Sequence, residues 1–304
     1  MPVTGITDTN SAGRALIAKL TIMFVLLNGQ FVSEEQAVVP VADRGFLYGD
    51  GVFETIPVYN GKPFRWAQHL ERLARGADFL KIRLAFAPKE LRVLAGELIE
   101  RNQMPSAVLR LTLSRGVGDR GYSPRGADSP VVVMTVHART PVDPQNPPFW
   151  RLVTSSFKLP ASDPMSSFKT NNRLLQVVAR AEAEAADADD ALLLNTNGEV
   201  AESSSANLFW IYRDTVYTTP TGRGALPGIT RAVVLELCQA LDLPTNKRVI
   251  KPESLRKSEG MFLSLSSMGI VPVGALDGES VPSSTIVEKI LTTFHEVVQR
   301  ETGP

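Results

Sequence analysis

The sequence predicts a mixed α/β protein built as two domains, and three observations lead there. Stretches with the two-residue period of strands alternate with stretches of helical period in both halves of the chain. Arg139–Pro148 holds four prolines in ten residues. Proline fixes its own φ and disfavours helix just before it, so this stretch reads as a linker rather than an element. Finally, 304 residues, 43% of them apolar and 21% charged, can bury a sizeable core in each half. The expected division is a disordered N-terminal extension over 1–22, a first domain over 23–138, the linker over 139–149 and a second domain over 150–304.

Ile22–Leu27 reads as a strand, turning at Asn28-Gly29 into Phe31-Val32, and Phe53–Tyr59 turns likewise at Asn60-Gly61. Trp66, Leu70, Leu73, Ala77 and Leu80 fall four, three, four and three apart, one face of a helix. Leu91, Leu94, Ala95, Leu98 and Ile99 give a second helix over 89–101. Ala107, Leu109, Leu111 and Leu113 alternate with their neighbours as a strand, and Val131–Val136, apolar but for Thr135, forms another. Beyond the linker, strands are expected at Trp150–Ser155, Ala191–Leu194, Leu208–Tyr212, Val216–Thr218, Met261–Leu265 and Pro272-Val273. Helices are expected over 171–186, 229–241 and 285–300.

With 32 basic and 32 acidic residues, the chain offers no electrostatic case for nucleic acid or an anionic membrane. Cys238 is the one cysteine, at the end of the largely apolar run Ala232–Cys238, and reads as a small buried thiol. His69, His137 and His295 are too scattered for a metal site. The apolar run at 22–27 is too short to span a bilayer, and the expectation is a soluble, cytoplasmic protein.

Gly116-Val117-Gly118-Asp119-Arg120-Gly121 has G-x-G-x-x-G spacing after a strand, but Tyr122-Ser123-Pro124 follows where a dinucleotide site needs a helix. That leaves a flexible, basic, glycine-rich loop. Leu226–Arg231 serves an anion better, because Gly228 permits close approach and the first amides of the helix after it have no internal partners. Ser264–Gly269 adds hydroxyls in a second loop, and Arg72 adds a forked, permanently charged donor.

One lysine, Lys169 in Ser167–Leu174, stands before a helical pattern. One carboxylate, Glu202 in Gly198–Phe209, follows 33 residues later on a turn between two strands. Alone, a lysine beside threonine and asparagine reads as a solvated helix start. Together, a lysine that can shed its proton and a carboxylate that can pair with a ring nitrogen are what pyridoxal 5'-phosphate (PLP) chemistry requires.

Six blocks, Asp43–Thr55, His69–Leu73, Lys169–Leu174, Gly198–Phe209, Leu226–Arg231 and Met261–Val273, stand in the order seen in the class IV PLP-dependent aminotransferases, which this chain resembles over roughly residues 23–300. The resemblance implies a fold type IV enzyme, with a small α/β domain plus a larger β-rich pseudo-barrel domain. It also implies a homodimer whose active sites are shared. Lys169 resembles the lysine that binds PLP and moves the substrate Cα proton. Glu202 resembles the carboxylate that keeps the pyridine nitrogen protonated. Arg72, Ile229, Thr230, Ser266 and Ser267 resemble the phosphate cup, and Arg173 takes the place beside the ring's phenolic oxygen. Phe53 and Thr55 border the substrate, and the loop at Arg120-Gly121-Tyr122 is similar to the one that receives the substrate carboxylate in the neighbouring subunit.

The expected activity is amino transfer between an amino acid or amine and a 2-oxo acid. The alternative is 4-amino-4-deoxychorismate lyase, giving 4-aminobenzoate and pyruvate. Thr55, Arg120–Tyr122 and Asn172–Leu174 resemble the lyase branch. Pro57 stands where lyases and branched-chain enzymes carry a basic residue, and Leu265 where the lyase pattern has asparagine. Tyr122 replaces the loop histidine of the D-amino-acid branch, and Thr55 the glycine of the branched-chain pattern. A catalytically silent binding protein is the least favoured reading, since Lys169 and Glu202 are both present.

Overall fold

The computed structural model describes residues 23–139 and 142–303, so the expected extension at 1–22 lies outside the described residues. Both predicted hairpins form. Asn28 and Gly29, like Asn60 and Gly61, have positive φ at both central positions, as a type I′ turn requires. The turns join β1 (Phe24–Leu27) to β2 (Gln30–Ser33) and β3 (Gly51–Tyr59) to β4 (Lys62–Pro63). With β5 (Ala107–Ser114) and β6 (Val131–Ala138) these make an antiparallel sheet in the order β2-β1-β6-β5-β3-β4. Three helices belong to this half: α1 (Arg44–Tyr48), α2 (Trp66–Leu80) and α3 (Pro88–Arg101). Leu70, Leu73 and Ala77 of α2 and Leu91, Ala95 and Leu98 of α3 share one core with Ile56, Leu109, Leu111 and Met134.

The second half opens with β7 (Trp150–Leu159), α4 (Leu174–Ala185), β8 (Asp190–Asn195) and β9 (Val200–Ser203). It continues through β10 (Asn207–Tyr212), β11 (Thr215–Thr218), α5 (Ile229–Ala240), β12 (Thr245–Lys247), β13 (Gly260–Leu265), β14 (Gly269–Leu276), β15 (Glu279–Ser280) and α6 (Thr285–Thr302). The sheet order is β12-β11-β10-β13-β14-β7-β8-β9, with β15 on β14. Only the residues 204–206 separate β9 from β10, although several strands lie between them in the sheet. Such a short link forces the sheet to curl back on itself, and the hollow of that curl is the cavity described below. Helices α5 and α6 pack on Phe209, Phe262 and Ile270, and Cys238 lies buried among them.

Two expectations need correction. The helix expected from 171 begins at Leu174, because the residues before it are engaged as strand. Phe53 N–H donates to Lys169 O and Asn171 N–H to Gly51 O, both 2.9 Å, and Val52 bridges Thr170. Gly51 allows this crossing, since a Cβ there would stand 2.5 Å from Leu113 O and from Asn171 Nδ2. Glu202 lies inside β9 rather than on a turn. All four residues of β9 are buried, so the strand has no alternation to betray it.

Candidate active site

The seam between β3 and the 168–171 segment sets Lys169 at the edge of a cavity of about 910 Å³, counted to its open mouth. Its Nζ stands 4.6 Å from the centroid of the Phe53 ring. Lys169 keeps a face toward the cavity, yet protein surrounds it on the other sides. Burial, then the positive charges of Arg72 and Arg173, bring its ammonium down to about pKa 7. A lysine so placed is a usable base and nucleophile near neutral pH.

Glu202 stands across the same cavity, 7% exposed. Its Oε2 accepts from Leu226 N–H at 2.8 Å and from Asn207 Nδ2 at 3.2 Å, while Asn207 also donates to Leu226 O. One oxygen therefore fixes the carboxylate and the other is left for a ligand. Burial raises its pKa to about 7, against the pull of the Leu226 amide and of Arg173 and Lys169. A protonated nitrogen brought beside it would hold the group ionised.

The N-terminus of α5 forms a third wall through Gly228, Ile229 and Thr230. No side chain caps this helix, so its first amides and the positive end of its dipole face an incoming anion. A Cβ on Gly228 would collide with Asn207 Oδ1, so glycine keeps both the cradle and the Glu202 support clear. Ser266 and Ser267 line the cavity from the β13–β14 turn, and Arg139 Nε donates to Ser267 O at 2.7 Å. Arg72 reaches the cavity from α2. Its Nε and Nη2 donate to Glu54 at 2.7 and 2.6 Å and its Nη1 to Pro227 O at 2.9 Å, which leaves two N–H groups for an anion. Burial alone would raise the Glu54 carboxyl, but Arg72, with His69 Nδ1 at 2.6 Å, outweighs it and holds the group at about pKa 2.

Arg173 lines the cavity and donates to the carbonyls of Thr170 and Phe168, and Phe53 and Thr55 complete the wall toward β3. The structure thus gathers ten of the twelve residues singled out from the sequence. Arg120 and Tyr122 do not line their own chain's cavity; both are exposed, Tyr122 by 88%. Sequence reasoning missed Glu54, His69, Asn207 and Gln176. A charged residue inside the apolar strand 51–59, with His69 and Arg72 three apart on a helix, could have marked the buried triad. Gln176 gave no comparable signal, whereas Ser264 belongs to the hydroxyl-bearing loop read from the sequence, and its Oγ is buried against the cavity without a partner.

The family model for amino-transferase class IV matches residues 51–276. A putative branched-chain-amino-acid aminotransferase of Methanocaldococcus jannaschii is 32% identical over 267 residues, 88% of this chain and 92% of its own. A D-alanine aminotransferase of Bacillus licheniformis is 28% identical over 285 residues, 92% of this chain and 99% of its own. Among solved structures, a T.th. branched-chain amino acid aminotransferase with pyridoxamine 5'-phosphate superposes with a TM-score of 0.86 at 27% identity, covering 93% of this chain and 96% of that one.

Proposed function

The chain belongs to the class IV aminotransferases, and from that premise we propose that it uses PLP, held by Lys169, to move an amino group between an amino acid and a 2-oxo acid. The observation that carries this is a single cavity in which Lys169 and Glu202 face a shared space closed by the bare N-terminus of α5. The residues fit a phosphorylated pyridine. The α5 amides and Arg72 have donors to spare, Gly228 leaves the cradle open, one oxygen of Glu202 is unengaged, and Ser264 Oγ has no partner.

When bound, PLP supplies an electron sink for the charge left as the substrate Cα–H bond breaks. The chain's residues do the rest. Ile229, Thr230, Ser266, Ser267 and Arg72 would hold the phosphate, and Glu54 keeps Arg72 aimed. The free oxygen of Glu202 would keep the ring nitrogen protonated, and Arg173 would supply a positive charge to the ring's phenolic oxygen. Lys169 Nζ, poised near neutrality, takes the proton from one substrate Cα and returns it to the other. Phe53, Thr55 and Leu265 shape the substrate side.

A homodimer completes the site, with Arg120 and Tyr122 entering the partner's cavity. Supporting this are exposed large apolar side chains, among them Phe46 (74% exposed), Leu174 (74%), Val177 (60%) and Tyr122 itself (88%). Balanced charge and a buried lone thiol support a cytoplasmic setting. Against the lyase, Leu265 presents an apolar wall where an amide belongs, and Pro57 lies buried in β3 with no cation to offer. The test is to treat PLP-loaded protein separately with L- and D-amino acids and with aminodeoxychorismate. Pyridoxamine phosphate and a 2-oxo acid support amino transfer; 4-aminobenzoate with pyruvate from aminodeoxychorismate alone would replace it with the lyase.

A further inference from the structure

The loop that carries Arg120 and Tyr122 is gripped from within. Its sequence suggests flexibility, but the carbonyls of Gly121, Tyr122 and Ser123 all converge on the guanidinium of Arg44. Nη1 donates to Gly121 O (2.9 Å) and Ser123 O (3.1 Å), and Nη2 to Tyr122 O (3.0 Å). Its Nε donates to Asp50 Oδ2 at 2.9 Å. The Arg44 side chain is only 4% exposed and lies 4.9 Å from the centroid of the Tyr48 ring. Asp50 is fixed in turn by Arg115, at 2.7 and 3.1 Å, and Arg115 is anchored on Leu80 O and Lys81 O at the end of α2.

This chain of bonds runs from the rigid end of α2 to three consecutive carbonyls of one loop. Gly121 has φ +97°, a conformation other residues rarely adopt, and a Cβ there would meet nothing within 4 Å. Glycine is therefore present for the backbone turn and not for space. While the backbone is held inward, the side chains of Arg120 and Tyr122 stay exposed. A planar fork can donate along several fixed directions at once; an ammonium on a flexible stem cannot.

We propose that Arg44 is a positioning residue that pre-sets the 120–122 loop, so that Arg120 meets the substrate carboxylate in the partner's site without first being ordered. This rests on the reading of Arg120 given above. It predicts that substrate binding gains by not having to order the loop.

The experiment combines amide hydrogen exchange of residues 117–127 with steady-state kinetics of the PLP-loaded dimer. Arg44→Lys should speed exchange in that loop by roughly tenfold or more, as expected when charge-assisted bonds are lost. It should raise KM for an amino acid while kcat stays within about twofold and PLP content is unchanged. In a double-mutant cycle, Arg44→Lys with Arg120→Ala should be no worse than Arg120→Ala alone, since one acts through the other. Gly121→Ala, which strains the turn from outside the buried pair, should reproduce the exchange and KM changes, so poor folding of the Arg44 variant would not decide the matter. Unchanged exchange, or fast exchange with KM unmoved, overturns the proposal. A kinetically silent Arg120→Ala instead refutes the carboxylate reading, and the positioning role falls with it even where exchange is fast.

Discussion

Lys169 sits where its ammonium titrates at about 7 rather than 10.5, and that difference can be read directly. At pH 7.5 a group of pKa 7 is about three-quarters neutral, whereas an ordinary lysine is neutral about one time in a thousand. Only the neutral amine attacks an aldehyde, so the reactive fraction rises several-hundred-fold. The assay mixes apoprotein with PLP across pH 6–10 and measures how fast the cofactor becomes fixable by borohydride. The rate should climb to about pH 7 and then level off. Arg173→Met removes one of the charges that depress the lysine, so its plateau should begin at a higher pH. Stability follows the same titration. The unfolded lysine keeps its proton up to 10.5, so apoprotein stability should rise as pH increases from 7 towards that value. A fixation rate that rises without levelling towards pH 10, or an Arg173→Met profile that does not move, would refute the assignment of burial and neighbouring cations as the cause.

Glu202→Gln keeps the shape and removes the charge, so half-reactions followed by stopped flow should slow by ~10²-fold or more with PLP still bound. Folded Glu202 takes up its proton near 7 but unfolded near 4.5, so apoprotein stability should fall as pH rises through that window, and the Gln variant should lose this slope. Gly228→Ala pushes Asn207 off both Glu202 and Leu226 O, and fluorescence titration should show PLP affinity weakened roughly tenfold or more. Mixing inactive Lys169→Ala and Arg120→Ala subunits should restore partial activity, because one site of the mixed dimer carries neither lesion; proven heterodimers without activity would place Arg120 outside the partner's site.

The chemistry was legible where a residue's meaning is local. Lys169, Glu202 and the glycine before α5 stand in short blocks whose residues and order along the chain carry the family resemblance, and the long amphipathic helices α2 and α3 declare themselves by period. What stayed hidden depends on partners distant in sequence. Glu54 reads as an ordinary strand residue until α2 brings Arg72 and His69 against it. The loop at 116–122 reads as loose because its anchor, Arg44, lies some 77 residues away in α1, a five-residue helix too short to show a period. The start of α4 was misplaced for the same reason, since Asn171 looks helical until β3 claims its amide.

The stitching of Phe53 and Gly51 to Lys169 and Asn171 makes the lysine part of a seam between the small sheet and the segment that leads into α4. Prying the halves apart would break backbone bonds on both sides of the lysine, so wide hinge opening is a poor route for substrate to enter, and traffic must pass the cavity mouth. The same seam makes cofactor retention a gauge of the small sheet's integrity. Any fluctuation that unzips β3 would displace Lys169 directly, and a cofactor held by that lysine would in turn stabilise the small sheet.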